Sequence, residues 1–216
     1  MRYVRVKLRN IEGSTLLMHP MLEEEKTAMR TKIGAPKIRD MSLEDEAARR
    51  IYRDEEGRIA LPRKWFYGCL VKAGTKVPLR GRTNVTKSDG STELFSFLWI
   101  LDSFCVLTNV QEGIRNGKKE EDYWRVSFER CPQSQNRGGK GGGVAVVRPE
   151  FPEWECVVNI RYNEKRVHEE VIRRLFEEGG LTQGLGSGRP NRGWNHGQFE
   201  IVEWTDITDE IAEKRD

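Results

Sequence analysis

The chain has 216 residues, of which 37 are Lys or Arg and 34 are Asp or Glu, and its formal net charge is +3. This length fits one elaborated domain, and the near balance of charge excludes a uniformly basic nucleic-acid coat of the histone kind. A hydrophobic fraction of 37%, with six Trp and eight Phe, is enough for a core and excludes a disordered chain.

No stretch approaches the roughly 20 apolar residues of a membrane span. The first ten residues, MRYVRVKLRN, alternate charged with apolar side chains and lack the apolar run of a secretory signal. We therefore expect a cytoplasmic protein with no membrane partner.

The four cysteines are far apart in sequence and lie in or beside apolar segments. Zinc sites usually contain closely spaced pairs, which are missing here. The pattern predicts buried, reduced thiols and neither a metal nor a cofactor for Cys69, Cys105, Cys131 and Cys156.

In the first part of the chain, Tyr3–Leu8 alternates with the two-residue period of a half-buried strand. The polar stretch 21–58 contains one short helix, Ser42–Tyr52, with Ser42 as its N-cap. A second helix over Pro62–Ala73 has Pro62 at its first position and apolar residues at helical spacing.

The middle of the chain alternates between basic loops and extended segments. Residues 75–92 are polar and basic, and Leu94–Leu107 predicts one or two strands. After the strand Tyr123–Phe128, residues 131–143 predict a flexible glycine-rich loop. The prolines of Arg148–Pro152 predict a bend.

The last third predicts a strand over Trp154–Tyr162, a helix over Val167–Glu178 that Gly179 and Gly180 stop, and a strand over Gln198–Trp204. The element order predicts an α+β fold with a ferredoxin-like (RRM-like) βαββαβ core, an antiparallel sheet and two helices on one face. We expect a single domain over 1–216, with long insertions at about 21–58, 75–92 and 131–143.

The strongest functional signal is GLGSGRPNRGWNHG, residues 184–197, which contains no acid. Its glycines allow close approach of the backbone to a ligand and an anion-binding nest of N–H groups. Arg189 and Arg192 suit phosphate, and Trp194 and His196 offer faces for a base. The Lys-Ser/Thr pair of a P-loop is missing. The alternative is a structural turn whose Trp packs on the core.

Two further loops concentrate cations, which suggests a phosphate track. Arg80 and Arg82 lie in one, and Arg137 and Lys140 lie in the other. Single-strand binders combine such a track with stacking side chains. The alternative is an ordinary solvated surface.

Two histidines are weak candidates for acid–base catalysis, His19 and His196. His19 follows the apolar residues 16–18, and no nucleophile or carboxylate can be named as its partner. A packed histidine is the favoured interpretation of His19, and the sequence predicts no enzyme, although it leaves the question open.

These residues resemble the RAMP superfamily, the repeat-associated proteins of CRISPR effector complexes. The resemblance lies in Gly13–Pro20, Leu61–Ala73, Trp154–Tyr162 and the block Gly184–Trp204. It is greater to the backbone subunit, which polymerises along guide RNA. The sequence also resembles uncharacterised phage and prophage proteins, so the resemblance implies a protein encoded by a prokaryote or a phage.

The resemblance implies that 21–58 is a thumb-like or finger-like insertion over the nucleic acid, and that 184–197 is the glycine-rich loop that contacts RNA in RNA-processing members. The catalytic histidine of those members has no counterpart, because His19 lacks the surrounding motif. The implied function is a non-catalytic, antiviral-defence RNA-binding subunit, either of a homo-oligomeric filament or of a multiprotein ribonucleoprotein complex.

Two alternatives remain open at this point. One is a phage protein that binds or anneals single-stranded DNA, and the other is a metal-independent RAMP endoribonuclease. A protein-binding assembly role is a third possibility, which predicts no bound nucleic acid.

Overall fold

The structure is a computed structural model that describes residues 1–20, 22–31, 41–110, 123–132 and 143–213. The strands are β1 (Arg2–Asn10), β2 (Leu16–Leu17), β3 (Ala60–Pro62), β4 (Pro78–Arg80), β5 (Thr83–Asn84), β6 (Leu98–Ile100), β7 (Phe104–Val106), β8 (Arg125–Pro132), β9 (Gly143–Phe151), β10 (Glu155–Tyr162) and β11 (Phe199–Asp206). The α-helices are α1 (Glu23–Thr31), α2 (Leu43–Arg49), α3 (Arg63–Ala73), α4 (Glu169–Glu178) and α5 (Thr208–Glu213).

The central sheet has the strand order β11-β1-β10-β6, and all its neighbours are antiparallel. In chain order its elements are β1, α3, β6, β10, α4 and β11. This is the split βαββαβ arrangement, in which the first and last strands are neighbours. The predicted α+β, ferredoxin-like core is therefore confirmed.

Alternation along β1 determines which face of the sheet is buried. Val4, Val6 and Leu8 are fully buried, whereas the side chains between them are half-exposed. Phe66 of α3 and Phe176 of α4 belong to the same buried cluster. The apolar face of the sheet is thus covered by the two helices, as predicted.

The predicted bend at Arg148–Pro152 is found only at the end of that range: β9 continues through Phe151 in a second sheet of order β2-β9-β8, and the chain bends at Pro152 and Glu153. Pro149 pairs opposite Val126, and its carbonyl accepts a hydrogen bond from the N–H of Met18. Within a strand, N–H and C=O of one residue point to the same neighbour, so the missing donor of Pro149 faces the point where β2 ends. The pairing of Pro149 with Met18 therefore has one hydrogen bond instead of two, at the end of β2.

The α-helix α4 ends at Glu178 with Gly179 as its C-cap, as predicted, but the chain then continues in one π-helical turn, Gly179–Gln183. A Cβ at Gly179 would lie 2.9 Å from Sγ of Cys69, and one at Gly180 would overlap the carbonyl oxygen of Phe199. These glycines are required by close packing on α3 and β11, which sequence alone does not reveal.

Within the described part of 21–58, Ser42 caps α2 by accepting a hydrogen bond from the N–H of Asp45, as predicted. The helix ends at Arg49, earlier than expected. Arg50 is buried and pairs with Glu25 of α1 and Glu46 of α2, which joins the two helices. Pro62 ends β3 and precedes α3, rather than being its first residue.

Cys69, Cys105 and Cys156 are free and buried, as predicted. Burial raises the pKa of the Cys69 thiol to about 12, and the thiol of Cys105 also has a raised pKa because of burial. Among the described residues, no helix is long and apolar enough to cross a membrane.

Candidate nucleic-acid interface

The glycine-rich loop, residues 184–197, lies between the turn after α4 and the start of β11. Leu185 is fully buried at its beginning, and Phe199 is buried just beyond its end. The N–H of Leu185 donates to the carbonyl of Gly197 at 2.8 Å, so the two arms of the loop are closed on each other.

The loop is held by the segment after β1, which lies almost the whole chain length away in sequence. The N–H groups of Ser187 and Gly197 donate to the carbonyls of Leu17 and Thr15, at 2.9 and 2.8 Å. The buried Ser14 hydroxyl donates to the carbonyl of Asn195 at 2.6 Å and accepts from the N–H of Gln198 at 2.8 Å. The position of the loop is therefore set by backbone contacts.

Two of the glycines are required for this close approach. Gly186 and Gly197 have φ of 75° and 74°, a region that L side chains rarely adopt. A Cβ at Gly197 would overlap the carbonyl oxygen of Leu185, and one at Gly186 would overlap that of Leu17. Both glycines serve the construction of the loop.

Many backbone N–H groups of the loop donate to carbonyls of the protein itself, so they are not free for the predicted anion-binding nest. His196 donates to the carbonyl of Gly188, Gly193 donates to that of Pro190, and Gly184 donates to that of Gly179. The groups that the loop presents outward are therefore mainly side chains.

Trp194 is 41% exposed and does not pack in the core. The alternative of a structural turn whose Trp packs on the core is therefore wrong for this side chain. Its ring centroid lies 6.0 Å from that of His196, with 34° between the planes. Arg192 is exposed at the end of the short 3-10 helix Pro190–Arg192, and Gly193 then turns the chain with φ of 81°. An aromatic pair and a cation thus project from one turn.

Arg189 is half-buried and lies on the side of the loop that faces α3. Its charge, like that of Lys72, acts to lower the pKa of the Cys69 thiol, against the larger effect of burial. The guanidinium therefore lies within electrostatic range of α3. No ion pair of Arg189 or Arg192 with another described residue is found.

His196 is linked to the second sheet through Thr15. Nδ1 of His196 and Oγ1 of Thr15 are 2.7 Å apart. Arg125 lowers the pKa of the buried Glu150 carboxyl through two hydrogen bonds, and a hydrogen bond from Thr15 and the nearby His196 act in the same direction, whereas burial opposes them. The donor in the contact between Thr15 and His196 is Nδ1–H of His196 in one tautomer and the hydroxyl of Thr15 in the other.

The structure does not bring all the predicted phosphate contacts together. Nη2 of Arg80 donates to the carbonyl of Arg166, just before the first residue of α4, whereas the glycine-rich loop follows the other end of that helix. The ten residues of α4 span about 15 Å. Arg82 is exposed in the turn between β4 and β5, and Arg137 and Lys140 lie outside the described residues.

His19 is half-buried between the helices of the 21–58 region and β9. Burial lowers its pKa, and the charges of Arg50 and Arg148 add to this effect. Its buried Nδ1 has no hydrogen-bond partner among the described residues. This environment is that of a packed histidine next to ion pairs.

The sequence did not identify the residues that support the loop. Ser14, Thr15 and Glu150 carry no motif, and only the position of Ser14–Thr15 after β1 could have suggested them. The open face of the sheet also carries a cation over an aromatic ring, since the guanidinium of Arg161 lies 4.8 Å from the ring centroid of Trp99. Only the pairing of β10 with β6 brings these two together.

In the part of the chain that the structure describes, no group of three or more His, Cys, Asp or Glu side chains could hold a metal ion.

No family model and no curated protein matches the chain. Among solved structures, it is similar to a chain in the cryo-EM structure of Type III-B Cmr-beta bound to cognate target RNA, with a TM-score of 0.46 and 12% sequence identity. The similarity covers 96% of this chain and 61% of that chain, so this chain spans less than two thirds of its neighbour's length.

Proposed function

We propose that this protein binds single-stranded nucleic acid, RNA in preference to DNA, through the glycine-rich loop. The observation that carries the proposal is the exposed Trp194 beside His196 and Arg192, on a loop that contains no acid. Stacking on an aromatic ring accepts any base, and neighbouring arginines neutralise the phosphates.

The fixed geometry of the loop supports this role. Because Ser14, Thr15 and Leu17 hold its backbone, the loop loses little conformational freedom when a strand binds. We base the proposed preference for RNA on the resemblance of the sequence to the RAMP superfamily. We propose on the same basis that the protein works as a repeated subunit or as part of a ribonucleoprotein complex, without a chemical step of its own.

The test is fluorescence anisotropy with a labelled single-stranded RNA of mixed sequence. The double variant Arg189→Gln/Arg192→Gln is expected to bind RNA more weakly than the wild type, whatever the RNA sequence. The log–log dependence of its affinity on salt should be shallower by about 0.7 for each contact removed. The variant should unfold at the wild-type denaturant concentration, since both residues are outside the core.

The matched control is Arg58→Gln/Arg174→Gln, which removes the same charge from two exposed arginines that form ion pairs elsewhere. If both double variants weaken binding equally, only net charge matters and the proposed interface is wrong. Competition with DNA of the same sequence tests the RNA preference, because only RNA has the 2′-hydroxyl. Purified protein should carry nucleic acid, seen in the ratio of absorbance at 260 and 280 nm, and should elute larger than a monomer.

A further inference from the structure

A basic cavity lies at the end of the sheet that is opposite the glycine-rich loop. Its volume is about 510 Å³, within the range of small-molecule sites. Three cations line it, Arg80, Lys87 and Arg166, with Glu93 as the single acid and the buried Phe97 among its apolar residues.

The cations come from three separate parts of the chain, and each part is fixed by hydrogen bonds. Arg80 is at the end of β4, and its guanidinium donates to the carbonyl of Arg166 at 3.2 Å. Lys87 is in a turn closed by its own N–H donating to the carbonyl of Ser91. The loop that carries Arg166 is joined to Phe97, which lines the cavity, because the N–H of Asn163 donates to the carbonyl of Phe97.

The charges in the cavity are not balanced by the protein. Arg80, Lys87 and Arg166 form no ion pair with another described residue, in contrast to Lys76, which pairs with Glu178. Glu93 is the one acid that lines the cavity, and its carboxylate lies 3.5 Å from the hydroxyl of Ser96. Asp89 is a second acid in the turn that carries Lys87; hydrogen bonds from Ser91 lower its pKa, and the charge of Lys87 adds to this effect. Three cations against one lining carboxylate thus face a partly open cavity.

We propose that this cavity binds a phosphomonoester, the terminal phosphate of a nucleic-acid strand. A phosphomonoester carries a charge of about −1.5 to −2 at neutral pH, whereas a phosphodiester within a strand carries −1. Three converging cations attract the doubly charged terminal group more strongly than a singly charged diester. The assignment of this phosphate to a nucleic-acid strand rests on the proposed function, because a free nucleotide carries the same phosphomonoester group.

The experiment measures the affinity of one RNA sequence with a phosphate or a hydroxyl at the 5′ end, and separately at the 3′ end, with the label at the opposite end. A phosphate at one of the ends is expected to tighten binding about five- to thirty-fold. Arg166→Gln should abolish this advantage and leave the binding of the hydroxyl form nearly unchanged. Glu93→Gln should increase the advantage, because it removes the opposing charge.

The control variant is Lys165→Gln, next to Arg166 on the same exposed loop but outside the cavity. It should retain the phosphate advantage. If the phosphate at neither end changes affinity, or if Lys165→Gln acts like Arg166→Gln, the inference is overturned while RNA binding by the loop stands.

Uridine monophosphate, titrated alone by calorimetry, separates the two sources. Binding of the mononucleotide that Arg166→Gln removes, in a protein that binds no RNA, would support the cavity as a nucleotide site and refute the proposed function. Binding of the phosphorylated strand with no measurable binding of the mononucleotide supports the strand end as the ligand.

Discussion

The glycine-rich loop and the basic cavity are both rich in cations and poor in acids, yet they are built in different ways. The loop is locked by backbone contacts to residues 14–17, and three of its glycines, Gly186, Gly188 and Gly197, have no room for a Cβ. The cavity lies beside a hairpin whose turn glycine, Gly81, has positive φ of 55° but open space around it. Two segments of similar composition, both rich in cations and glycine, can therefore form a rigid loop in one place and an exposed turn in another.

The largest expected effect tests that contrast directly. Gly197→Ala adds a Cβ that overlaps the carbonyl of Leu185 in a backbone region that disfavours L residues. The free energy of unfolding should fall by about 2–5 kcal/mol, measured by urea denaturation. Gly81→Ala has only the conformational cost, about 1–2 kcal/mol. Equal losses would show that the loop is not locked by packing.

The second prediction concerns the link between the loop and β9. Glu150→Gln weakens two hydrogen bonds from Arg125 and the one from Thr15, so the free energy of unfolding should fall by about 1.5–3 kcal/mol at neutral pH.

Because the pKa of Glu150 is lowered from its ordinary value of 4.5, its contribution is complete above that pH and is lost as pH falls through the folded-state value. The difference between wild type and variant should therefore shrink in acid, as followed by denaturation at a series of pH values. A constant difference would contradict the ionic origin of this link.

The third prediction concerns what the loop exposes. Trp194→Ala should weaken RNA binding by about 1–3 kcal/mol, because a stacking surface is lost. Its free energy of unfolding should change by no more than about 0.5 kcal/mol, since the ring is outside the core. Restored affinity in Trp194→Phe would indicate stacking. A large loss of stability with no loss of affinity would assign the ring a structural role.

The smallest expected effect concerns the segment that supports the loop, which continues to His19. Burial and the charges of Arg50 and Arg148 lower the pKa of His19 below 6.5, so the unfolded chain binds its proton more readily than the folded protein. The stability should be complete above about pH 6.5 and decline as pH falls through the folded-state value. His19→Gln should flatten this part of the pH profile, and an unchanged profile would contradict it.

Alternation and element order predicted the core because each is read directly from neighbouring residues. Tyr3–Leu8 alternates, and β1 buries every second side chain as that pattern requires. The continuation of β9 through Pro149 and the π-helical turn that starts at Gly179 were not predicted, because both depend on partners that are distant in sequence. The proline lies where β2 ends, and the glycine lies against Cys69.

The candidate site divides in the same way. Arg192 and Trp194 were found from residue types within one short segment, whereas Thr15 and Glu150 act through a contact that only the assembled sheets create. Lys87 and Arg166 were missed as a pair because 79 positions separate 87 from 166, and nothing local marks either one.

The contact between Ser14 and Asn195 joins positions 181 residues apart. During translation, at about 5–20 residues per second, the segment after β1 emerges long before the loop that it supports. A nascent chain on the ribosome therefore has the supporting residues without the loop. Ser14, Thr15 and Leu17 gain their contacts with the loop only after residue 198 has been made, so this part of the fold forms late in synthesis.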